Sequence, residues 1–304
     1  MQSKEKQNFF SINDLSNSSE NLVSEENEII SAGKTNVKRS FIVVCVISAV
    51  RTEASYLITT LESLRADMPT VPPNVSMHVN VIDASNSPQR EDMRAARLQF
   101  PNFTFEPLLN KTHEPCTPLE RRSDSNGTTG APPCSVRQQT RDVLAALPQC
   151  ARRAAGAGWV LLVEDDTEAC PAALATAAVT LRAMADYMAA GAPGAWRLAA
   201  FSSYFSGVAL PAAALPAFLP HAWARLAHEP VDHLIWGPWA GGALFKFQGN
   251  LFRHVGRVSA FEYRNGEEFR RRHDRDRFSP RQAGCFSEPV DRLRRLALHL
   301  PLRD

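Results

Sequence analysis

Residues 159–166 read Trp-Val-Leu-Leu-Val-Glu-Asp-Asp, five apolar residues followed directly by three acids. A short run that is apolar throughout is typical of a strand buried on both faces, as in a parallel sheet. Ligands of such sheets bind beyond the carboxyl ends of the strands. Glu164, Asp165 and Asp166 are therefore expected at the mouth of a ligand site, where neighbouring carboxylates favour a bound cation.

The same acids also suit a solvated turn before a helix, because Thr167 and Glu168 favour a helix N-terminus. Their position directly after an apolar strand, with helical patterns on both sides, favours the ligand site instead. The expected ion is Mg²⁺ or Mn²⁺, since these hard cations take carboxylate oxygens and bridge the phosphates of a substrate.

Strand and helix patterns alternate on both sides of this motif. The expected strands are residues 41–50, 77–82, 103–107, 159–163 and 196–201. The expected helices are residues 56–64, 136–147 and 171–190, with Gly156 and Gly158 closing the second. This alternation predicts an α/β fold, with a mostly parallel central sheet flanked by helices.

The ends of the chain differ in composition from this middle. Residues 1–38 are rich in Ser, Asn, Glu and Lys and predict a disordered arm, so the folded domain is expected over residues 39–304, with a loop-rich tail from about residue 262. The apolar run 41–50 is half of the roughly 20 residues that a membrane helix needs. No signal peptide or anchor is recognised, so membrane association would depend on a partner or on a segment outside this chain.

Charge and cysteines narrow the function classes. A net charge of +2 does not suit a nucleic-acid binder. The six cysteines include no C-x-x-C pair, which argues against zinc. Cys45 is expected as a buried thiol, and Cys116 and Cys134 flank a polar loop that a disulfide would close in an oxidising compartment. Five N-x-S/T sequons fit a lumenal surface, at Asn17, Asn74, Asn102, Asn110 and Asn126.

Several segments together resemble the N-acetylglucosaminyltransferase IV family of GT-A glycosyltransferases. They are Val160–Asp166, Trp196–Ser202 with Gly207, Pro230-Val-Asp232, Asn250–Gly256 with Ser259, and the first strand and helix with Ser48–Arg51 and Tyr56–Leu61. The likeness covers about residues 39–261. The acidic motif and the Arg137–Arg141 helix are also similar to a family that adds N-acetylgalactosamine to the glycan of GPI anchors.

The resemblance implies a GT-A (Rossmann-like) fold and a role for each matching residue. Asp166 would be the principal metal ligand with His254, while Glu164 and Asp165 would place the metal and the donor ribose. Asp232 would be the catalytic base. The remaining implied donor contacts are Ser48 and Arg51, at the end of the first strand, and Gly207, whose backbone would approach the donor or acceptor closely.

The residues alone leave alternatives open. The sequence around His254 also fits a histidine that is packed in the core or exposed at the surface. Asp232 also suits the N-cap of a helix after Pro230. Asp83, at the end of the second strand, is a weaker candidate for a contact to the uracil or ribose. The segment 236–242, which contains Trp236 and Trp239, departs from the family pattern, and this leaves the acceptor open.

The expected function is an inverting, metal-dependent transfer of an N-acetylhexosamine, GlcNAc in the first place, from a UDP-sugar to a glycan or glycolipid acceptor. The expected compartment is the Golgi or ER lumen. The alternatives are a GPI-glycan N-acetylgalactosaminyltransferase, which would share the donor site, and a non-catalytic glycan-binding protein of the same fold. Metal-dependent binding of a UDP-sugar separates the enzymes from the binding protein.

Overall fold

The structure is a computed structural model that describes residues 40–49, 56–85, 90–112, 132, 134–190, 197–202, 205–237, 244–247, 249–255 and 285. The predicted arm, residues 1–38, lies outside these residues, as does the predicted tail apart from Cys285.

Nine strands and six helices are found in this part of the chain. The strands are β1 Ser40–Ser48, β2 Met77–Asp83, β3 Thr104–Pro107, β4 Ala154–Glu164, β5 Thr167–Ala169, β6 Leu198–Ala200, β7 Val208–Pro211, β8 Leu244–Lys246 and β9 Phe252–His254. The helices are α1 Leu57–Asp67, α2 Glu91–Gln99, α3 Cys134–Ala151, α4 Ala173–Ala189, α5 Leu215–Arg225 and α6 Val231–Trp236, with 3-10 turns at Met68–Thr70 and Ala212–Ala214.

Seven strands form the central sheet, in the order β3-β2-β1-β4-β7-β6-β8. All neighbours pair in parallel except those of β7, which is antiparallel to β4 and β6. Strands β5 and β9 form a separate antiparallel pair. The predicted α/β fold with a mostly parallel sheet is confirmed.

Helices cover both faces of the sheet, which is why the central strands β1 and β4 carry apolar side chains on both faces. On β1, Ile42, Val44 and Val46 enter one core with residues of α1, α2 and α4. Val43 and Cys45 enter the other core with residues of α3, α5 and α6. Successive side chains of a strand point to opposite faces, so one apolar run supplies both cores.

The start of β4 differs from the prediction. Gly156 and Gly158 do not close the preceding helix, because α3 ends at Ala151 and both glycines lie within β4. The pairing with β1 shifts between Ser40 and Ile42, whose partners are Ala154 and Trp159. A Cβ on Gly158 would lie 2.8 Å from the carbonyl oxygens of Ala155 and Phe41. Glycine there allows an irregular strand to pass close to β1.

The cysteines also differ from the prediction. Cys45 is not a free thiol: it forms a disulfide with Cys150, which ties the central strand β1 to α3. A second disulfide joins Cys170, directly after β5, to Cys285. Cys134 is disulfide-bonded as well, as predicted for it, and its partner lies outside the described residues. Cys45 lies in an apolar run, and the sequence of that run does not indicate that Cys150, on helix α3, would be its disulfide partner.

No helix among the described residues is both long and apolar enough to cross a membrane.

Candidate metal centre

The carboxyl end of β4 brings three separated side chains together. Glu164 is the last residue of β4, Asp166 lies in the turn that follows, and β9 pairs with β5 so that His254 is opposite Thr167. The Val255 N–H donates to the Asp166 carbonyl at 2.8 Å and fixes the end of β9 to the turn. One ligand atom from each of Glu164, Asp166 and His254 lies within 4.8 Å of the others.

The donor set suits a divalent ion. Two carboxylate oxygens and one imidazole nitrogen are ligands that Mn²⁺ accepts, whereas Ca²⁺ prefers oxygen alone. The side chain of Asp166 is 5% exposed and that of His254 is 28% exposed, so one ligand is inside the protein and one is accessible from solvent. His254 Nε2 lies 2.9 Å from Asp166 Oδ2, a distance that a protonated imidazole would also favour as an ion pair.

The middle acid of the motif points elsewhere. Asp165 is buried, and its Oδ2 accepts hydrogen bonds from the Ser48 hydroxyl at 2.7 Å and from the Ala49 N–H at 3.2 Å. Ser48 and Asp165, both expected to contact the donor, are therefore bonded to each other. Their bond fixes the end of β1 to the acidic turn.

A chain of hydroxyl groups holds the backbone of this turn. The Thr60 hydroxyl, on α1, donates to the Asp165 carbonyl at 2.8 Å and accepts the Thr167 N–H at 3.1 Å. The Thr167 hydroxyl contacts that of Ser206 at 2.8 Å, and Ser206 Oγ accepts the Glu164 N–H at 3.1 Å. The turn is thus held in position by α1 on one side and by the loop before β7 on the other.

Sequence reasoning missed Thr60 and Ser206. Thr60 lies on the apolar face of an amphipathic helix, where a hydroxyl needs a partner, and this was the available signal. Ser206 stands in a loop and gave none.

Gly207 packs closely against Phe252 of β9 and does not face an open surface. Its φ is +84°, a conformation that side-chain-bearing residues rarely adopt, and a Cβ there would lie 2.5 Å from a ring carbon of Phe252. Its N–H donates to the Leu162 carbonyl at 2.8 Å. The close approach in the structure is to Phe252, two residues before His254. A contact to the donor or acceptor remains a prediction.

Asp83 ends β2 at the same edge of the sheet and is part of a half-buried ion-pair network. Its Oδ1 accepts the Ser85 N–H at 2.9 Å and the Arg90 Nη1 at 3.3 Å. Arg90 also donates to the Ser48 carbonyl at 3.3 Å and to both carboxylate oxygens of Asp92, at 2.9 and 2.6 Å. Arg90 therefore joins the ends of β1 and β2.

The charge of Arg90 is secured by its acidic neighbours. Burial alone would lower the pKa of Arg90, but the hydrogen bond to Asp92 and the charges of Asp92, Asp83 and Asp165 outweigh it and raise the pKa. The arginine is thus a fixed positive charge beside an acidic edge. Nothing in the sequence around residue 90 indicated this role.

The first two turns of α3 lie at the same edge. Gln139 Nε2 is 3.4 Å from Glu164 Oε1, so this amide helps to orient a candidate ligand. Lys111 donates to the Ala84 carbonyl, directly after β2, and lies 4.0 Å from Asp142. The edge therefore carries both acidic ligand atoms and cations, as a site for a metal and a phosphate group requires.

The contacts described so far do not include two predicted residues. Asp232 is half-buried in the first turn of α6, a helix that packs on α3 and α5. It is not the N-cap of that helix, because α6 begins at Val231 and Pro230 occupies the N-cap position. Arg51 lies outside the described residues.

Comparisons with known proteins give remote structural similarities. No family model and no curated protein matches the sequence. A 4-diphosphocytidyl-2C-methyl-D-erythritol synthase structure shares 11% identity at a TM-score of 0.39, covering 86% of this chain and 99% of that chain. The galactosyltransferase LgtC, in complex with donor and acceptor sugar analogs, shares 12% identity at a TM-score of 0.40, covering 84% of this chain and 95% of that chain. The residues at the site are therefore the basis for inferring a function.

Proposed function

We propose that the chain is a metal-dependent glycosyltransferase that moves an N-acetylhexosamine from a UDP-sugar to a glycan or glycolipid acceptor. GlcNAc is the first candidate for this sugar, and the transfer inverts the configuration at the anomeric carbon. The observation that supports this most directly is the group formed by Glu164, Asp166 and His254 at the carboxyl end of a buried parallel strand. That edge is where α/β sheets bind nucleotides.

In this proposal Asp166, His254 and Glu164 hold Mn²⁺ or Mg²⁺. When bound, the ion neutralises charge on the diphosphate that leaves the sugar. The chain's own residues do the rest. Asp165, bonded to Ser48, keeps the acidic turn against β1, and Gln139 orients the carboxylate of Glu164. Asp83, bonded to Arg90, lies at the same edge and is the candidate for the ribose or uracil contact.

The base is assigned to Asp232. Deprotonation of the acceptor hydroxyl would let the hydroxyl oxygen attack the anomeric carbon, the C1–O bond to the diphosphate would break, and the diphosphate would depart with the electron pair. A half-buried carboxylate with solvent access is suited to accept this proton.

The acceptor class stays open between an N-glycan and the glycan of a GPI anchor, since these two readings share the donor site and differ in the acceptor pocket. The non-catalytic reading, a glycan-binding protein of this fold, predicts no need for a metal cluster. Three carboxylate and imidazole ligands brought together from β4, the acidic turn and β9 favour the enzyme.

Calorimetric titration of the purified chain with UDP-GlcNAc and with UDP-GalNAc, each with Mn²⁺ and with a chelator, tests the proposal. We expect one donor to bind, and only when Mn²⁺ is present. Asp232→Asn should retain this binding and lose turnover, because the base does not hold the donor. Binding that a chelator does not reduce, or equal loss of donor binding in Asp232→Asn, would contradict the assignment.

A further inference from the structure

Three of the five sequon asparagines belong to the described residues, and all three lie in exposed turns. Asn74 is the third residue of the Pro72–Val75 turn, closed by a 2.9 Å bond from the Val75 N–H to the Pro72 carbonyl. Asn102 holds the same place in the Phe100–Phe103 turn, closed at 3.0 Å. Asn110 lies just after β3 with φ of 55°.

The side chains beside these asparagines do not cover them. In each sequon the asparagine is exposed, while the residue after Asn74 is the core residue Val75 and the residue after Asn102 packs against the core. A large hydrophilic group on any of the three would therefore extend into solvent without disturbing the sheet. Buried asparagines such as Asn80 and Asn250 are not in sequons.

A second, independent observation concerns the redox state. All five cysteines among the described residues are disulfide-bonded, and Cys45 and Cys150 are fully buried in the core. Disulfides persist in oxidising compartments and are rare where glutathione keeps thiols reduced. The oxidising lumen in which disulfides form is that of the ER. Asparagine residues are glycosylated in the same compartment.

From these two observations we infer that Asn74, Asn102 and Asn110 carry N-linked glycans. The co-substrate is a lipid-linked oligosaccharide diphosphate. The asparagine amide nitrogen forms a bond to C1 of the first sugar, the C1–O bond to the lipid diphosphate breaks, the amide loses a proton, and the lipid diphosphate leaves.

The hydroxyl groups of two sequons make contacts in the folded protein. Ser76 Oγ accepts the Phe41 N–H at 2.8 Å, and Thr104 Oγ1 is 2.8 Å from His78 Nε2. Both hydroxyl oxygens therefore have a partner in the folded protein, and Ser76 itself is exposed.

The glycans divide between the two edges of the sheet. Asn74 and Asn102 precede parallel strands β2 and β3, so their glycans lie at the amino edge, away from Glu164 and Asp166. Asn110 follows β3, at the carboxyl edge, beside Lys111 and its contact to Ala84. Removal of the first two glycans should leave binding at the metal centre unchanged.

The test uses the full-length protein isolated from its own cells with free thiols blocked by alkylation. Enzymatic release of N-glycans in heavy-oxygen water converts each glycosylated asparagine to a labelled aspartate, which peptide mass spectrometry locates. We expect the label at all three asparagines and no alkylated Cys45 or Cys150. Unlabelled Asn74 and Asn102 in a disulfide-bonded protein would overturn the inference, as would alkylated Cys45.

Two matched variants separate the glycan from the fold. Asn102→Gln should remove one glycan from the protein, seen as one step in gel mobility. Thr104→Ser keeps both the sequon and a hydroxyl beside His78, so it should retain the glycan. An unchanged mobility of Asn102→Gln would contradict the inference. Neither gel-mobility result depends on the proposed transferase activity. The metal site proposed for that activity is tested by a separate measurement, metal titration of the deglycosylated protein.

Discussion

Thr60 shows how much one hydroxyl group contributes to the candidate site. It is fully buried, its oxygen joins the Asp165 carbonyl to the Thr167 N–H, and both groups belong to the turn that carries Asp166. Without it, two buried backbone groups lose their partner, and each such loss costs about 1–3 kcal/mol.

We therefore expect Thr60→Ala to lower the free energy of unfolding by about 2–4 kcal/mol and to weaken Mn²⁺ binding. Thr60→Ser, which keeps the hydroxyl, should restore the metal affinity. The control is Thr59→Ala on the exposed side of the same helix, which should change neither quantity. Denaturant unfolding and Mn²⁺ titration of the three variants provide the measurement, and equal metal affinity in Thr60→Ala and Thr59→Ala would contradict this role.

At the residue scale the sequence was informative where chemistry and position coincide. Glu164, Asp165 and Asp166 were expected at a cation site because an apolar strand ends directly before them, whereas the role of Asp166 as principal ligand came from the family resemblance. His254 was predicted only from a family resemblance, since no local pattern distinguishes a ligand histidine from a packed one. Arg90 was missed because two of its partners, Asp83 and the Ser48 carbonyl, approach it only through the parallel pairing of β1 and β2.

At the scale of elements, β2 and β3 carry a titratable contact. His78 Nε2 is bonded to Thr104 Oγ1 across the two strands. Burial lowers the pKa of His78, and the charge of Arg153 lowers it further, while Glu106 opposes this. The folded protein therefore binds a proton at His78 less readily than the unfolded chain does, whose histidine has a pKa of about 6.5.

The direction in which pH changes the stability follows from the lower pKa of His78 in the folded state. The unfolded chain takes up more protons as the pH falls through about 6.5, so the stability that His78 contributes is present above that pH and is lost below it. We expect the free energy of unfolding to decrease between about pH 7.5 and 5.5 and His78→Gln to flatten this dependence. Denaturant unfolding at a series of pH values measures both, and an identical slope in the variant would be the contrary result.

Element boundaries were predicted well where a pattern was strong. Strands β1, β2 and β4 and helices α1, α3 and α4 were all expected from their periodicity. The start of β4 was wrong, because Gly156 and Gly158 look like a helix end and act instead within an irregular strand. The antiparallel strand β7 and the small β5–β9 pair were not predicted, since no alternating or apolar run marked these segments as strands.

For the whole molecule, the disulfide between Cys45 and Cys150 joins parts of the chain 105 residues apart. Closing a loop of this length restricts the unfolded chain, and this restriction stabilises the folded state by up to about 4.7 kcal/mol. The sequence could not reveal the pairing, because it depends on how α3 crosses β1 in the folded structure.

We expect the double variant Cys45→Ala/Cys150→Ala to lose about 3–5 kcal/mol of unfolding free energy, measured by denaturant unfolding without reductant. A variant that lacks only one of the two cysteines shows how the remaining thiol in the core changes the free energy of unfolding. If the double variant were as stable as the unmodified chain, the disulfide would make no contribution to the fold.

In the proposed function Asp166 binds a divalent ion together with Glu164 and His254. This binding is measured by titration of the chain with Mn²⁺, followed by the paramagnetic resonance signal of free Mn²⁺. We expect one site that tightens when UDP is added, and loss of at least tenfold in affinity for Asp166→Asn. The control is Asp186→Asn, which removes an exposed carboxylate on α4 and should leave the affinity unchanged. Equal Mn²⁺ binding by Asp166→Asn and the unmodified chain would contradict the account.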